Sequence, residues 1–490
     1  MSLLIALIGL IFAGRLILKN YNPQAVLFLT GIAMMVIAVF TNDAVFVDKS
    51  TGWLGFDIFE YIRNTFSNRA GGLGLKIMLI GGFAMFMSAI GASQVMVKVA
   101  AKPLMKLNSP YLMLALALIL GQALSLFISS ATGLGLLLMA TLYPVLIRLG
   151  CSKAAVAAVL ASTCAIEFGP GSGNSILAAQ TAGMDITDFF VNEQLPVISI
   201  LIVIIAGIHA LVQRYFDSKM AQEEQPTQLQ SDSDVTGTDA PLYYLLLPTL
   251  PLFFMLTFSK MGIGTIRVSM DTAILLSIFI GLVCEYIRHK QAKPVFVKLQ
   301  GIFNDMGKVF ATVVTLIIAG QTFAMGLKSI GAIEALLNLA SSAGFTASVI
   351  VLFMALLTFS ISALMGSGNA AFFSFAPMLP QIAEKIGTNV ADMILPIQLS
   401  AGMGRTISPI AGVIIAIAGL SGLSPFDIVR RTVIPMLSGW LIMLIITFTR
   451  SGQIMQILPF LVGIIALLAI ITLIIIKKRA NPQVASEVSR

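Results

Sequence analysis

Apolar runs of about 17 to 25 residues recur along the whole chain. A helix of that length spans the roughly 30 Å hydrocarbon core of a bilayer. Short segments of alternating apolar and polar residues, which are typical of outer-membrane barrels, are absent from the sequence. The pattern therefore predicts an all-α polytopic membrane protein. Uninterrupted crossings are predicted over 2–19, 24–41, 72–92, 195–213, 241–259, 269–287, 306–328, 431–449 and 455–476.

Two further apolar segments, 153–183 and 391–420, are interrupted near their middles by glycine and proline. The interruptions contain GPGSGN (169–174) and GRTISP (404–409). Non-helical backbone at membrane depth is tolerated only where it is buried in protein or lines a polar cavity. We therefore predict two broken crossings whose freed backbone groups face an interior site.

Segments 109–149 and 345–386 each contain two apolar limbs around a small polar tip, ISSATGLG (128–135) or MGSGNAAF (365–372). The limbs could form two crossings or one re-entrant hairpin that enters and leaves on the same side. The Gly, Ser and Thr of the tips favour hairpins whose tips lie at mid-membrane depth. A new helix is predicted after each tip, and helix N-termini attract anions.

The two halves of the chain share an ordered series of short matches. FAM at 83–85 recurs at 323–325, an offset of 240 residues, and Pro170 matches Pro409 at an offset of 239. Each half is predicted to contain three crossings, one hairpin, one broken crossing and one further crossing. Because each half then crosses the membrane an odd number of times, the second half must be inverted. Inverted repeats with broken helices are typical of secondary transporters.

Composition and charge agree with this class. The chain is 58% hydrophobic and 11% charged, with a mean hydropathy of +0.96, so it cannot cover a water-soluble surface. Most of its 30 Lys and Arg residues fall in loops on one predicted side. The positive-inside rule makes that side cytoplasmic, with a periplasmic N-terminus and, after eleven crossings, a cytoplasmic C-terminus. These orientation signals account for the net charge of +8, and no nucleic-acid partner is predicted.

Arg405 lies near the middle of the second broken crossing. A central arginine costs roughly 2.5–3.5 kcal/mol on insertion scales, so it needs a partner. Its guanidinium can hold a carboxylate by two parallel hydrogen bonds. That carboxylate could belong to a substrate or to Glu167, and both are compatible if substrate competes for the arginine. Glu167 could also be a protonation site for ion coupling.

Freed carbonyls and hydroxyls at the breaks could instead hold a small cation, so a proton or sodium is the predicted coupling ion. The predicted ion-coupling residues are Glu167, Gly171, Gly366 and Gly404. Gly and Ser within one membrane helix are usually close-packing residues, and four such motifs at repeat-related places favour a site. The three cysteines and two histidines form no metal or disulfide motif, and neither a cofactor nor an enzymatic activity is predicted.

Six motifs carry a family resemblance: SPYL (109–112), SSATGLGLLLMATLYPV (129–145), LAAQ (177–180), GSGNAAFFSF (366–375), GRTISPIAGVIIAIAG (404–419) and SPFDIVRRT (424–432). With them the chain resembles the DcuC family of anaerobic C4-dicarboxylate carriers, within the ion transporter superfamily. The resemblance covers nearly the whole chain except the polar stretch at its centre and the C-terminal tail.

The resemblance implies a fold similar to the divalent-anion/sodium symporters, in which a transport part moves as an elevator against a dimeric scaffold. It implies a homodimer in the lipid bilayer of the bacterial inner membrane. The implied division is a first repeat 1–213 (scaffold 1–107, transport part 108–213), a cytoplasmic linker 214–240, a second repeat 241–449 (scaffold 241–344, transport part 345–449), and an extra helix with a tail, 450–490.

The implied activity is secondary transport of C4-dicarboxylates such as succinate, fumarate and malate, by uptake, efflux or exchange. An amino-acid or other organic-anion exchanger is the alternative, and an ion channel is disfavoured by the broken, inverted halves. The chain departs from the family pattern at the first break, with Asn174 where an acidic residue is expected and Glu167 where an apolar one is. The implied substrate-binding residues are Ser129, Ser130, Thr132, Gly133, Ser172, Gly173, Asn174, Ser367, Gly368, Asn369, Arg405, Thr406 and Ser408.

Overall fold

The computed structural model describes residues 2–19, 21–41, 45–220, 239–258, 263, 265–266, 268–332, 334–335, 338, 342 and 345–466, and these are helical with connecting turns. Within them, seven helices are long and apolar enough to cross a membrane. The helices of the first half are α1 Ser2–Leu18, α2 Pro23–Thr41, α3 Leu54–Arg69, α4 Leu75–Ala89, α5 Ala92–Ala101, α6 Pro110–Ser125, α7 Ala131–Thr141, α8 Tyr143–Arg148, α9 Lys153–Ala161, α10 Gly173–Thr181, α11 Ile186–Asp188 and α12 Leu195–Met220.

The described helices of the second half begin after the predicted linker. Its helices are α13 Leu250–Thr257, α14 Met270–His289, α15 Ala292–Val309, α16 Thr315–Ser329, α17 Ala347–Met365, α18 Gly368–Phe375, α19 Leu379–Ile386, α20 Val390–Thr406, α21 Gly412–Ser421, α22 Pro425–Arg450 and α23 Ile454–Ala466. A 3₁₀ helix, Leu242–Thr249, precedes α13 where the sequence predicted an uninterrupted crossing over 241–259. Residues 221–238 of the predicted linker, and the predicted last crossing beyond Ala466, lie outside the described residues.

Two crossings are longer than their apolar runs predict. A π-helical turn, Ala70–Gly74, joins α3 to α4 in one 36-residue helix, Leu54–Ala89. The turn Phe310–Val314 likewise joins α15 to α16 in a 38-residue helix, 240 residues farther along. The hydrophobic pattern missed α3 and underestimated α15 because both helices are amphipathic and carry charged residues on one face.

Both predicted interruptions are confirmed. In the first, α9 ends at Ala161 and α10 begins at Gly173. In the second, α20 ends at Thr406 and α21 begins at Gly412. The interruption of the second crossing therefore follows Arg405 and includes Pro409. The prediction that Gly404 of GRTISP interrupts it was wrong, since Gly404 lies inside α20, as does Gly402.

These two glycines act by close packing instead. A Cβ on Gly402 would lie 2.3 Å from Ala165 O in the first break, and one on Gly404 would lie 2.2 Å from Phe359 O in α17. Small residues let backbones approach closely where no hydrophobic force drives membrane helices together. Helix α20 is thereby pressed between the first break and the second hairpin, which places Arg405 against residues of the other half.

The two halves also exchange contacts around their tips. Helix α7, which follows the first tip, packs against α21, which follows the second break. Helix α18, which follows the second tip, packs against α10, which follows the first break. In the first half, Gly171 of the break lies against Leu126 O at the end of α6, and in the second half, Gly366 of the tip lies against Ala411 N of the break. Tips and breaks of both halves therefore form one contiguous interior region.

Candidate functional site

A guanidinium–carboxylate pair joins the two halves at their breaks. Arg405, in the last turn of α20, donates through Nη1 to Glu167 Oε1 and through Nη2 to Cys164 O at 2.6 Å. The other oxygen of Glu167 accepts a hydrogen bond from Asn174 Nδ2, in the first turn of α10. Both charged side chains are largely buried, with 13% and 16% of their surfaces exposed. Three residues predicted from sequence thus form one cluster, in which the arginine has an internal carboxylate partner.

Three buried polar atoms near this cluster have no hydrogen-bond partner among the described residues: Arg405 Nε, Asn174 Oδ1 and Ser408 Oγ. Buried polar groups in folded proteins are almost always paired, and each exception needs a reason. A guanidinium N–H and a serine hydroxyl can both donate to a carboxylate. The cluster therefore retains donors that its internal hydrogen bonds do not use.

A buried amide network holds the backbone at Glu167 and at Gly169. Gln398 Nε2 donates to Glu167 O at 3.0 Å and to Ser175 Oγ at 3.1 Å. Gln194 Oε1 accepts from Gly169 N at 2.8 Å, and its Nε2 donates to Ser175 Oγ at 2.9 Å. Both glutamine side chains are fully buried. Sequence reasoning missed this network, although isolated glutamines in apolar segments were the available signal.

We expect Gln398→Leu to lower the free energy of unfolding by about 1–3 kcal/mol, because Glu167 O loses its side-chain donor inside the protein. The change should also raise the KM for substrate, since the backbone that carries Glu167 becomes less constrained. Thermal unfolding of the purified protein measures the first effect, and initial uptake rates measure the second. Gln300→Leu, at an exposed position on α15, is the control. Equal unfolding temperatures for the two variants would contradict the role of the network.

The tip serines begin the helices that follow the tips. Ser130 Oγ accepts from Gly133 N at 3.1 Å, and Ser367 Oγ accepts from Ala370 N at 3.2 Å. Ser172 Oγ does the same for α10 at 3.5 Å, a long contact. A serine N-cap satisfies one of the free amides of the first turn. The hydroxyl protons of these serines are not used by the caps, so each can still donate to a ligand.

The second break lies between the two tips. A Cβ on Gly366, whose φ is +69°, would lie 2.9 Å from Ala411 N. On the other side, Thr132 Oγ1 is 3.5 Å from the Cβ position of Gly412. The interruption that follows Arg405 is therefore bordered by residues of both hairpins.

The predicted site residues differ in how accessible they are. Thr406 is fully buried, and its hydroxyl donates to Gly402 O at 2.9 Å. The predicted residues that are buried are Asn174, Gly368, Gly404, Thr406 and Ser408. Those that are exposed or half-buried are Ser129, Ser130, Thr132, Gly133, Glu167, Gly171, Ser172, Gly173, Gly366, Ser367, Asn369 and Arg405. The accessible residues are mostly those of the tips, and the buried ones are mostly those of the breaks.

The ion-coupling positions provide few free ligands in this conformation. Gly404 O already accepts from Ile407 N at 3.2 Å, as part of the last turn of α20. Over the described part of the chain, no three His, Cys, Asp or Glu side chains are grouped to hold a metal ion. A coupling cation would therefore depend on backbone carbonyls and hydroxyls, or on the single carboxylate of Glu167.

A cavity of about 40 Å³ lies between the first tip and helices α4, α13 and α14. Ser129 and Gly171 contribute to its wall, which is otherwise mostly apolar and includes Phe83, Met255 and Met270. Arg405 and Glu167 do not line it. An anion needs donors or positive charge, so we locate the candidate site at the Arg405 cluster and not in this cavity.

Comparison with known proteins places the chain in a family. The model of the DcuC family, described as a C4-dicarboxylate anaerobic carrier, matches residues 1–452. The anaerobic C4-dicarboxylate transporter DcuC of Escherichia coli O6:H1 is 38% identical over 91% of this chain and 96% of its own length. The probable DcuC transporter of Vibrio cholerae is 38% identical over 90% of this chain and 95% of its own.

Two solved transporter structures have a similar fold. Neisseria gonorrhoeae MtrF, from a class of antimetabolite efflux pumps, has a TM-score of 0.59 at 15% identity, over 88% of this chain and 96% of that one. The Alcanivorax borkumensis YdaH transporter has a TM-score of 0.59 at 14% identity, over 90% and 98%. The apolar helices and these neighbours identify a multi-pass membrane protein with a transporter fold. The resemblance predicted from the sequence motifs is confirmed, and the chain belongs to the DcuC family of C4-dicarboxylate anaerobic carriers.

Proposed function

We propose that this protein is a secondary active transporter of C4-dicarboxylates such as succinate, fumarate and malate in the bacterial inner membrane. The observation that carries the proposal is the position of Arg405 at the junction of the two breaks. Its guanidinium already holds one carboxylate there, that of Glu167. The same surroundings can therefore accommodate a substrate carboxylate, and Arg405 Nε and Ser408 Oγ add donors within the described cluster that are not otherwise engaged.

The second carboxylate of the substrate needs donors at a distance from Arg405. The hydroxyls of the tips are suited to this, because both tips border the second break. Helix α7 begins beside Ser130, and α18 begins beside Ser367. The positive end of a helix dipole favours an anion at such positions. On this proposal a dicarboxylate lies between the arginine and the helix N-termini of the tips.

We propose the inverted-repeat architecture for the same protein. It is supported by the common order of helices, by the π-helical turns Ala70–Gly74 and Phe310–Val314, and by the serine caps at 130 and 367. The exchange of contacts between tips and breaks supports it further. In this architecture the hairpins and broken helices form a transport part that moves as an elevator against the scaffold parts of a homodimer, with a periplasmic N-terminus and a cytoplasmic C-terminus.

Coupling to a proton or to sodium belongs to the same proposal. Glu167 is the proposed protonation site because its carboxylate is in direct contact with the substrate-binding arginine. For sodium, the proposed ligands are backbone groups around Gly171, Gly366 and Gly404 together with tip hydroxyls. The two possibilities differ in which ion gradient drives accumulation of the substrate.

The decisive experiment is uptake of labelled succinate by liposomes that contain the purified protein, under separate proton and sodium gradients. We expect saturable uptake and counterflow. Fumarate and malate should compete with succinate, and lysine should have no effect on succinate uptake. Counterflow distinguishes a carrier from a channel. Strong competition by lysine or glutamate, without competition by fumarate, would favour the amino-acid exchanger and contradict the proposal.

A further inference from the structure

We infer that Glu167 is an internal competitor of the substrate: its carboxylate occupies Arg405, and a substrate carboxylate binds by displacing it. This inference rests on the proposed function and adds what sets the affinity of the site. The residues concerned are Arg405 in α20, Glu167 in the first break and Asn174 at the start of α10.

The guanidinium of Arg405 already has two acceptors, and only one of them carries a charge. A carboxylate binds arginine most strongly through two parallel hydrogen bonds from neighbouring nitrogens. Nη1 of Arg405 donates to Glu167 and Nη2 donates to Cys164 O. These two bonds use two of the five N–H groups of the guanidinium. An incoming carboxylate that takes two parallel bonds must therefore share the single positive charge with Glu167 or displace it.

Glu167 is the acceptor that can leave. Cys164 O is a neutral backbone atom of the first break, and its position depends on the chain around it. The Glu167 carboxylate ends a flexible side chain, and its other oxygen accepts from Asn174 Nδ2. After losing Arg405 it would still have that donor, so it is not left without a hydrogen bond. A dianionic substrate also repels the Glu167 carboxylate, which favours the exchange.

The charges of Arg405 and Glu167 predict the direction in which substrate affinity changes. Arg405 and Glu167 together carry no net charge, so the site attracts a dianion less than the arginine alone would. If the pair is closed nine-tenths of the time, the apparent affinity for substrate falls about tenfold. Removing the Glu167 carboxylate should therefore strengthen substrate binding, whereas a residue that merely supports the site would weaken binding when changed.

The test compares the Kd of labelled succinate for the full-length purified protein and for Glu167→Gln at one pH. We expect the Kd of the variant to be lower by about tenfold or more. Saturating succinate should also raise the unfolding temperature of Glu167→Gln more than that of the wild-type protein. The reason is that in the variant the substrate supplies the missing partner of Arg405. Glu193→Gln is the matched control, since it removes a carboxylate paired with Arg450 at 2.9 Å, and its Kd should not change.

A second variant covers the case in which Glu167→Gln does not fold. Glu167→Asp keeps the charge but shortens the side chain by one methylene, so it should weaken the hold on Arg405 and lower the Kd several-fold. If the variants that fold have an unchanged or higher Kd, Glu167 is not a competitor of the substrate. The proposed function still stands in that case, provided that the wild-type protein binds succinate. Absence of succinate binding by the original protein would overturn both.

Discussion

Replacing Arg405 by alanine is expected to abolish dicarboxylate transport, with a loss of roughly 10²–10³-fold in kcat/KM. Truncating one partner of a buried charged pair costs about 2–5 kcal/mol, and each 1.4 kcal/mol is tenfold in affinity. The substitution removes the binding charge and also leaves Glu167 buried without its cation. The two effects act in the same direction on substrate binding, because the remaining negative charge repels a dianion.

Initial rates of succinate uptake into liposomes measure this effect. Arg63→Ala is the matched control, because Arg63 forms an exposed pair with Glu60 on α3, and we expect it to transport normally. Arg405→Lys should retain part of the activity, since lysine keeps the charge but cannot form the bidentate geometry. Full transport by Arg405→Ala would show that the substrate carboxylate binds elsewhere.

The second large effect is expected from Gly404→Ala, which should lower the free energy of unfolding by about 1–3 kcal/mol, as overpacking of a core does. The added methyl would lie 2.2 Å from Phe359 O and 3.0 Å from Phe359 C. These are backbone atoms of α17, so the strain cannot be relieved by rotating a side chain. Separation of α17 from α20 would also move the second tip away from Arg405, and transport should fall with stability.

Gly419→Ala provides the comparison for this variant. Gly419 lies in α21, and a Cβ there meets no atom of the described residues within 4 Å. Because alanine favours the helix by about 1 kcal/mol over glycine, this change should leave stability equal or slightly higher. Thermal unfolding of both purified variants makes the comparison. Equal stability of Gly404→Ala and the original protein would mean that α17 and α20 are less tightly packed than the structure has them.

Much of the fold could be predicted from local pattern. Both broken crossings were located from glycine and proline inside apolar segments, since these residues interrupt a helix wherever it lies. The amphipathic helix α3 escaped prediction because its charged positions hide it from a search for apolar runs. The packing role of Gly402 and Gly404 escaped prediction for a related reason. Glycine permits either a break or a close contact, and only the neighbouring backbone of Ala165 and Phe359 decides between them.

The candidate site likewise contains residues that could be predicted from sequence and residues that could not. Arg405 and Glu167 could be singled out from sequence, because an ionisable residue in an apolar segment is costly and needs a partner. The buried amides Gln194 and Gln398 could not be assigned, since their partners at Glu167, Gly169 and Ser175 are distant from them in the chain. A hydrogen bond across such a separation has no local signature.

The sequence by itself determined the membrane class, the broken crossings, the family and the identity of the one arginine at mid-segment. These depend on hydrophobicity, on backbone preferences and on the cost of a buried charge, all of which act within a few residues. The tertiary structure alone decided that Arg405 meets Glu167, that Asn174 holds the other carboxylate oxygen, and that both tips border the second break. Those contacts join the two halves of the chain, and their geometry follows from how the helices pack.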